Sequence, residues 1–385
     1  MSLGATKALA LLVLLLLQLK YGCLMEGKCS FPAIFNFGDS TSDTGGIQSA
    51  FPTFSQSEFP PYGITFFGKP AWRYSDGRLA IDFICQALGL PFLSAYLQSV
   101  GSDFSTGVNF ATAGATARAI NYITPFSLNV QLNQFNEFRL RSGNFQQQQK
   151  QPSSSNLPTP DVFSQALYIV DIGGNDFTYG YNRNMSFHQI KSYLPQVVEA
   201  ISTAVEGLYE AGARTILVSD VGPQGCTPYI LTNFGYLRTT KDALGCGEEF
   251  NDIVRYYNSQ LKQAVGSLRS QLANASIVYV DSFSVKYQLT ANASQNGFQF
   301  TTRACCGAGG PYNYDNNQQC GRSKTQFGNF DLVAPSCSNP SIYLNWDGVH
   351  FTEAANHYTV QQLLTSKFFD PSDFDLDQLC DLNPI

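Results

Sequence analysis

The chain has 385 residues, of which 44% are hydrophobic and 14% aromatic, and its formal net charge is −6. A chain of this length can bury a large core, and its length alone would allow two domains. The acidic balance and the lack of any basic run argue against a nucleic-acid partner.

The N-terminal segment, residues 1–25, contains a short apolar run from Ala8 to Leu17 that follows Lys7. This run is too short and too close to the terminus for a stable membrane span, so it predicts a secretory signal peptide. No later segment is long and apolar enough to cross a bilayer. We therefore expect residues 26–385 to form one soluble domain that has no stable membrane anchor, is monomeric, and is secreted to the extracellular space or cell wall, or held in the vacuole.

The first chemical signal lies in residues 31–46. The apolar run from Ala33 to Phe37 predicts a buried strand, and Gly38 permits a sharp turn directly after it. Small polar residues follow, at the strand end where open α/β sheets place their ligands. Ser40 therefore occupies a position that suits an exposed nucleophile, provided that a base lies nearby.

Residues 51–74 are rich in proline, glycine and aromatic residues, which predicts a long irregular loop. Its aromatic side chains could line the rim of a cleft, or they could pack to anchor the loop. The sequence favours neither interpretation.

Residues 107–115 predict a strand that ends in a tight turn of small residues, where a backbone N–H can approach a ligand closely. A structural turn is the alternative. The polar residues 142–160, rich in Gln, Ser and Pro, predict a mobile surface insertion. A domain linker is less consistent with the motifs, because groups on both sides of this insertion must meet at one site.

Residues 166–172 predict a second buried strand, which ends at Gly173 and Gly174 before Asn175. Helical spacing of apolar residues then predicts a helix from Ile190 to Leu208, and a strand follows at 215–218. A further helix, from Phe250 to Leu268, leads to a strand at 277–280. Repeated strand–helix–strand units predict a three-layer α/β/α sandwich with a mainly parallel sheet of about five strands.

The chain has three histidines, and one of them, His350, follows Asp347 across the glycine turn Gly348. A carboxylate three residues upstream can reach the imidazole over such a turn. Asp347 and His350 would then supply the orienting group and the base that a serine nucleophile needs. We interpret His188 and His357 as surface or packing residues.

Ten cysteines are present, and most of them lie in loop-like stretches, as disulfides of secreted proteins do. We expect disulfides to staple residues 300–340, and we expect Cys85, on a predicted helix, to be a buried free thiol. The spacing does not match paired metal-ligand motifs, so no metal site is predicted. Sequons predict N-glycosylation at Asn184, Asn274 and Asn292.

Three blocks, Gly38-Asp39-Ser40, Gly173-Gly174-Asn175-Asp176 and Asp347-Gly348-Val349-His350, together resemble the GDSL esterase/lipase family of SGNH hydrolases, in particular its secreted plant branch. The resemblance extends from about Phe31 to about Leu364. It implies a flavodoxin-like fold and a serine carboxylesterase with Ser40, His350 and Asp347 as the catalytic triad, and without a cofactor. It also implies an oxyanion hole formed by Ser40, Gly114 and Asn175. Thr41 replaces the leucine of the family name, a side chain without a chemical role.

Alternatives remain open at this stage. Some plant members of this family are acyltransferases, and nothing in a triad distinguishes the two reactions. A non-catalytic wall-associated binding protein is a second alternative, but it would not need the complete set of Ser40, Asn175, Asp347 and His350. A glycosidase would need a pair of positioned carboxylates, which the sequence does not identify. For the substrate, the resemblance favours the removal of acetyl or other short acyl groups from a plant metabolite or a wall polysaccharide.

Overall fold

A computed structural model describes residues 31–148, 156–235, 240–321 and 334–385. The predicted signal segment, residues 1–25, and the centre of the polar insertion, residues 149–155, lie outside the described residues. None of the helices in the described ranges combines the length and apolar character that a membrane crossing requires.

The centre of the fold is a six-stranded sheet. In chain order, the strands of the protein are β1 (Ile34–Gly38), β2 (Gly107–Asn109), β3 (Leu167–Asp171), β4 (Thr215–Ser219), β5 (Ser276–Val280), β6 (Phe300–Ala304), β7 (Tyr343–Asn345) and β8 (Phe369–Asp370). The spatial order in the main sheet is β2-β1-β3-β4-β5-β8, and every neighbouring pair is parallel except β5 and β8. Strands β6 and β7 form a separate parallel pair.

The helices connect these strands and cover both faces of the sheet. They are α1 (Gly46–Ala50), α2 (Ala80–Ala87), α3 (Leu128–Gln148), α4 (Val162–Gln165), α5 (Gly174–Asn182), α6 (Phe187–Glu210), α7 (Pro228–Asn233), α8 (Glu248–Gln271), α9 (Ser282–Ala291), α10 (Glu353–Leu363) and α11 (Leu376–Leu379). The three-layer α/β/α sandwich with a mainly parallel sheet is confirmed.

Alternation of side chains along the strands produces two separate cores. Phe35 and Tyr168 point to one face and pack with α3, α6 and α8. Ile169 and Leu217 point to the other face, which α2, the end of α10 and the C-terminal segment cover. Because both faces are buried, the strands are almost continuously apolar, which is typical of parallel sheets.

Two features differ from the sequence-based expectation. The sheet gains a sixth, antiparallel strand, β8, which pairs through two residues only and therefore leaves no pattern in the sequence. Helix α3 continues to Gln148, so the first seven residues of the insertion at 142–160 are helical rather than irregular. Glutamine is a good helix former, and Ser142 and Gln146 are buried against the domain, so a polar composition did not prevent a helix here.

Between cysteines that both lie in the described ranges, disulfides join Cys226 to Cys246, Cys305 to Cys337 and Cys306 to Cys320. The last two confirm that residues 300–340 are stapled. Cys85 is a buried free thiol on α2, as expected. The cross-linked loop precedes β7 and thereby fixes the position of the residues that follow it, including Asp347 and His350.

Candidate active site

Ser40 lies in the turn directly after β1, at the carboxyl edge of the sheet. A Cβ atom at Gly38 would lie 2.6 Å from Ser42 Oγ and 2.7 Å from the Asp171 carbonyl oxygen, so only glycine fits at this point. The buried carboxylate of Asp43 then accepts hydrogen bonds from the backbone N–H groups of Gly45 and Ile47, among others. The sequence thus fixes a tight turn that leaves the Ser40 side chain partly exposed.

The imidazole of His350 lies between Ser40 and Asp347. Its Nε2 is 2.8 Å from Ser40 Oγ, and its Nδ1 is 2.7 Å from Asp347 Oδ2. The other carboxylate oxygen, Oδ1, accepts the backbone N–H groups of Val349 and His350 at 3.0 and 2.9 Å. Gly348 has φ +98°, which allows the turn that brings the carboxylate and the imidazole together.

Burial alone would raise the pKa of Asp347, but the adjacent imidazolium and the hydrogen bonds to His350 and Val349 outweigh burial and hold it below its usual value. Asp347 is therefore an anion at neutral pH. An anion at Nδ1 stabilises an imidazolium, and a hydroxyl within hydrogen-bond distance of Nε2 can pass its proton to the ring. Chemically, this arrangement can activate an alcohol.

Sequence analysis missed Tyr62, which touches this group. The phenol of Tyr62 is buried and donates a hydrogen bond of 2.9 Å to Asp347 Oδ2. Burial, and then the Asp347 charge, raises the pKa of Tyr62 well above its usual value, so the phenol stays protonated and remains a donor. Tyr74 lies beside it, with its ring centroid 4.9 Å from the His350 ring.

Within the loop at residues 51–74, the aromatic side chains near the site anchor the loop, and Tyr74 also lines the cavity at Ser40. Tyr62 and Tyr74 are buried and anchor the loop next to Asp347 and His350. Phe51, Phe54 and Trp72, in contrast, are exposed. No sequence signal distinguished the buried rings from the exposed ones.

Gly114 lies in the turn that follows β2, with φ +79°. A Cβ atom there would approach Ile123 to 2.7 Å, so both conformation and space require glycine. The turn is tied to the Ser40 loop, because Asp43 Oδ2 accepts the N–H of Ala113 at 2.8 Å. Within the described ranges, the N–H groups of Ser40 and Gly114 make no hydrogen bond to protein, so both can donate to a ligand.

Asn175 lies in the first turn of α5, close to the same turn. Its Nδ2 donates to the Ala115 carbonyl at 2.9 Å and to Asp39 Oδ2 at 3.2 Å. Asp176 accepts the Ala117 N–H at 2.7 Å and forms an ion pair of 2.9 Å with Arg118. The structure thereby brings the turn of Gly114 and the start of α5 together. Any oxyanion that Asn175 binds must compete with Asp39 for its amide.

Asp39 introduces a second carboxylate next to the nucleophile turn. Burial, and after it the nearby Asp171 carboxylate, raises the pKa of Asp39 to about 6. Thr41 opposes this shift by donating its N–H and its Oγ1 hydroxyl to Asp39 Oδ1, both at 3.0 Å. This pair could not be predicted from a single segment, because Asp39 follows β1 and Asp171 is the last residue of β3.

A cavity of about 240 Å³ opens at Ser40 and His350. Its lining combines polar residues, among them Asp171, Ser219 and Asn356, with aliphatic side chains such as Ile169 and Leu217. Across the described ranges, no group of three or more His, Cys, Asp or Glu side chains is arranged to hold a metal ion.

The remaining predicted residues lie away from this site. Asn184, Asn274 and Asn292 are all exposed, as acceptors of glycans must be. His188 is exposed on α6, and His357 on α10 packs against Phe83, with ring centroids 5.1 Å apart. Neither histidine lines the cavity at Ser40.

Comparisons with known proteins identify the family of this chain. The family model of the GDSL-like lipase/acylhydrolases matches residues 34–363. A GDSL esterase/lipase of Arabidopsis thaliana is 44% identical over 357 residues, 89% of this chain and 91% of the relative. The alpha-L-fucosidase 3 of A. thaliana is 44% identical over 342 residues, 87% of this chain and 91% of the relative. An esterase of Hevea brasiliensis is 42% identical over 366 residues, 93% of this chain and 91% of the relative.

Proposed function

Since this chain belongs to the GDSL-like lipase/acylhydrolase family and is a carboxylester hydrolase, we propose that it cleaves esters through an acyl-enzyme on Ser40. The observation that supports this proposal most directly is the 2.8 Å contact between His350 Nε2 and Ser40 Oγ. Asp347 completes the catalytic triad by orienting the imidazole through Nδ1.

In the first half of the reaction, His350 Nε2 accepts the Ser40 proton while Oγ attacks the ester carbonyl carbon. The tetrahedral intermediate collapses, the bond to the alcohol oxygen breaks, and the imidazolium gives its proton to the leaving alcohol. In the second half, His350 takes a proton from water, and the resulting hydroxide attacks the acyl-enzyme. The imidazolium then returns a proton to Ser40 as the carboxylic acid leaves.

The negative charge on the tetrahedral oxygen needs donors that are already in place. We assign these to the N–H groups of Ser40 and Gly114 and to the side-chain amide of Asn175. The first two have no protein acceptor in the described ranges, and Asn175 can release its longer bond, to Asp39. Catalytic hydrogen bonds are often long or misaligned before substrate binds, so the present geometry of Asn175 is compatible with this role.

A direct test uses the purified secreted chain and p-nitrophenyl acetate and butyrate. We expect steady-state hydrolysis by the wild type and a fall of about 10⁴-fold or more in kcat for Ser40→Ala. Wild-type protein that is inert to every aryl ester would instead support the binding-protein alternative. Full activity in Ser40→Ala would show that another group is the nucleophile.

The same triad could transfer the acyl group to an alcohol instead of water. Product analysis by mass spectrometry in the presence of a candidate alcohol acceptor separates the two, because transfer yields a new ester and hydrolysis yields the free acid. The fucosidase name of one relative adds a third assay, with p-nitrophenyl α-L-fucoside. The contacts of Ser40 and His350 support ester cleavage, and we expect no release of nitrophenol from the fucoside.

For the compartment, we propose secretion with N-glycans at Asn184, Asn274 and Asn292. The disulfides support an oxidising compartment, and the exposure of the three sequons makes them accessible. The alcohol part of the substrate is proposed to be a plant metabolite or a wall polysaccharide. The cavity at Ser40 provides separate evidence on the size of the acyl part.

A further inference from the structure

The cavity at Ser40 extends away from the surface, between the sheet and the helices on one of its faces. Side chains of Ile169 and Leu217 form its sheet side. Ile84 of α2 and Leu363 and Leu364 at the end of α10 form the opposite side. The cavity is therefore a gap in the second core, the one that packs Ile169 and Leu217 against α2 and α10.

The exposure of strand residues shows that side chains pack less completely on this face of the sheet. On the cavity face, Ile169 and Leu217 keep 7% and 5% of their surface exposed. Their chain neighbours on the other face, Val170 and Val218, are 0% exposed. The helices on the cavity face thus leave room over the centre of the sheet, whereas those on the opposite face do not.

On the sheet side of the cavity, polar residues precede apolar ones along the strands. Asp171 and Ser219 pair at the carboxyl ends of β3 and β4, in the row next to Gly38. Ile169 and Leu217 lie two residues further down the same strands, which is about 7 Å deeper. The sheet side therefore changes from polar near Ser40 to aliphatic further in.

A gap of this size is expected to bind a ligand. Protein interiors are close-packed, and unfilled space next to large aliphatic side chains lowers stability. For scale, an engineered apolar cavity of about 150 Å³ binds benzene, and the present cavity measures about 240 Å³. The site can therefore take a hydrocarbon group considerably larger than a methyl group.

We propose that this cavity binds the acyl chain of the ester, so that the substrate carries an acyl chain of medium length rather than an acetyl group. The inference rests on the proposed acyl-enzyme at Ser40. The acyl group stays bonded to Ser40 Oγ through both halves of the reaction, so an enclosed site can hold it throughout. The alcohol must depart before water attacks, which an open position permits and an enclosed cavity hinders.

The wild-type enzyme provides the first test, with p-nitrophenyl acetate, butyrate, octanoate and palmitate as substrates. Each methylene that moves from water to an apolar site contributes up to about fourfold in kcat/KM. We expect kcat/KM to rise at least about tenfold from acetate to octanoate and to rise no further at palmitate. A flat profile, or a maximum at acetate, would overturn the inference and leave ester hydrolysis intact.

A reversed series identifies which side of the ester enters the cavity. Alkyl acetates with alcohol chains of the same lengths place the hydrocarbon on the leaving group. We expect their kcat/KM to depend little on chain length. Chain-length dependence in this series alone would overturn the assignment of the cavity to the acyl chain.

Substitutions in the cavity wall test whether the acyl chain binds in this cavity. Ile84→Trp fills the cavity from α2, and we expect the ratio of octanoate to acetate kcat/KM to fall about tenfold or more. Leu140→Trp is the matched control, because Leu140 is exposed on α3 and does not line the cavity, and its ratio should equal that of the wild type. Leu364→Ala enlarges the cavity and should move the preferred chain to a greater length.

The two cavity variants keep the inference testable even if one of them does not fold. Circular dichroism and thermal unfolding establish whether Ile84→Trp is folded, and Leu364→Ala tests the same space by the opposite change. Unchanged ratios in every folded cavity variant would contradict the proposed site. If the wild type hydrolyses none of the esters in either series, the proposed function itself fails, which is a different result from a flat profile.

Discussion

The phenol of Tyr62 and the imidazole of His350 share one oxygen, Asp347 Oδ2, at 2.9 and 2.7 Å. The oxygen is buried, so both hydrogen bonds are shielded from water and each influences the other. Tyr62 therefore adds a fourth residue to the proposed triad. It touches no reacting atom, and we assign it a positioning role.

Tyr62→Phe removes this donor while it keeps the ring. A hydrogen bond to a charged group contributes about 1.5 to 3 kcal/mol. Without it the Asp347 carboxylate is held less firmly against His350 Nδ1, and if half of that energy is lost in the transition state, kcat falls by a factor of roughly 4 to 13. KM should change little, because Tyr62 touches no reacting atom. Steady-state kinetics measures kcat and KM separately.

Tyr168→Phe is the control for this experiment. Tyr168 is also buried and donates to a backbone carbonyl, that of Phe163, at 2.7 Å, far from the triad contacts. It should cost stability and leave kcat near the wild-type value. Equal kcat values in folded Tyr62→Phe and Tyr168→Phe would show that Tyr62 has only a structural role.

Asn175→Ala tests the oxyanion hole. Loss of one oxyanion donor lowers kcat by about 100- to 1,000-fold, with little change in KM. The variant also removes the bonds to Asp39 and Ala115, so thermal unfolding must accompany the kinetics. A stable variant that keeps kcat within about threefold of the wild type would remove Asn175 from the proposed mechanism.

Gly114→Ala is expected to harm both stability and activity. The new Cβ would lie 2.7 Å from Ile123, and its φ of +79° is unfavourable for alanine by about 1 to 2 kcal/mol. The clash involves both Cβ and Cγ2 of Ile123, so the double variant Gly114→Ala/Ile123→Gly removes the clash and leaves the conformational strain. Urea unfolding and kcat together separate the two causes. Wild-type activity in the single variant would show that the Gly114 N–H does not need its present position.

Asp171→Asn should alter the pH dependence of stability. The folded pKa of Asp39, about 6, is above its unfolded value of 3.8, so the folded state binds more protons between these values. The stabilisation from Asp39 is therefore complete below about pH 4 and is lost as pH rises to about 6. The substitution has two effects of the same sign: it lowers the pKa of Asp39, and it removes Asp171, whose own pKa is raised by burial, so the loss of stability with rising pH diminishes. Relative to the wild type, the variant should gain on the order of 1 kcal/mol between pH 4 and pH 7.5.

Urea unfolding at the two pH values measures this gain, and any structural cost of the substitution cancels in the difference. Asp161→Asn is a suitable control, because Asp161 is exposed at the start of α4. An equal pH dependence in the wild type and Asp171→Asn would show that the two carboxylates do not interact.

The parts of the site that are contiguous in the chain could be predicted from it. Ser40 follows an apolar strand and a glycine, and Asp347 and His350 lie on the same turn, so local pattern was sufficient. Tyr62 could not be found this way, because it meets Asp347 across 285 residues and nothing in its own segment marks it. The pairing of Asp39 with Asp171 depends on strand order, which a single segment does not encode.

The elements of the fold also divide into those that could be predicted from the sequence and those that could not. Long periodic helices and apolar strands were predictable, since each carries its own pattern. The edge strand β8 has two residues and forms only because the C-terminal segment reaches β5. The cavity depends on how side chains from the sheet, α2 and α10 fit together, and such a fit leaves no trace in hydrophobic periodicity.

The central claim, that His350 activates Ser40 as a nucleophile, is tested most directly by labelling with a fluorophosphonate and mapping the adduct by mass spectrometry. We predict one adduct, on Ser40, that is absent in Ser40→Ala and strongly slowed in His350→Ala. Labelling of a different residue, or an undiminished rate in His350→Ala, would contradict the account.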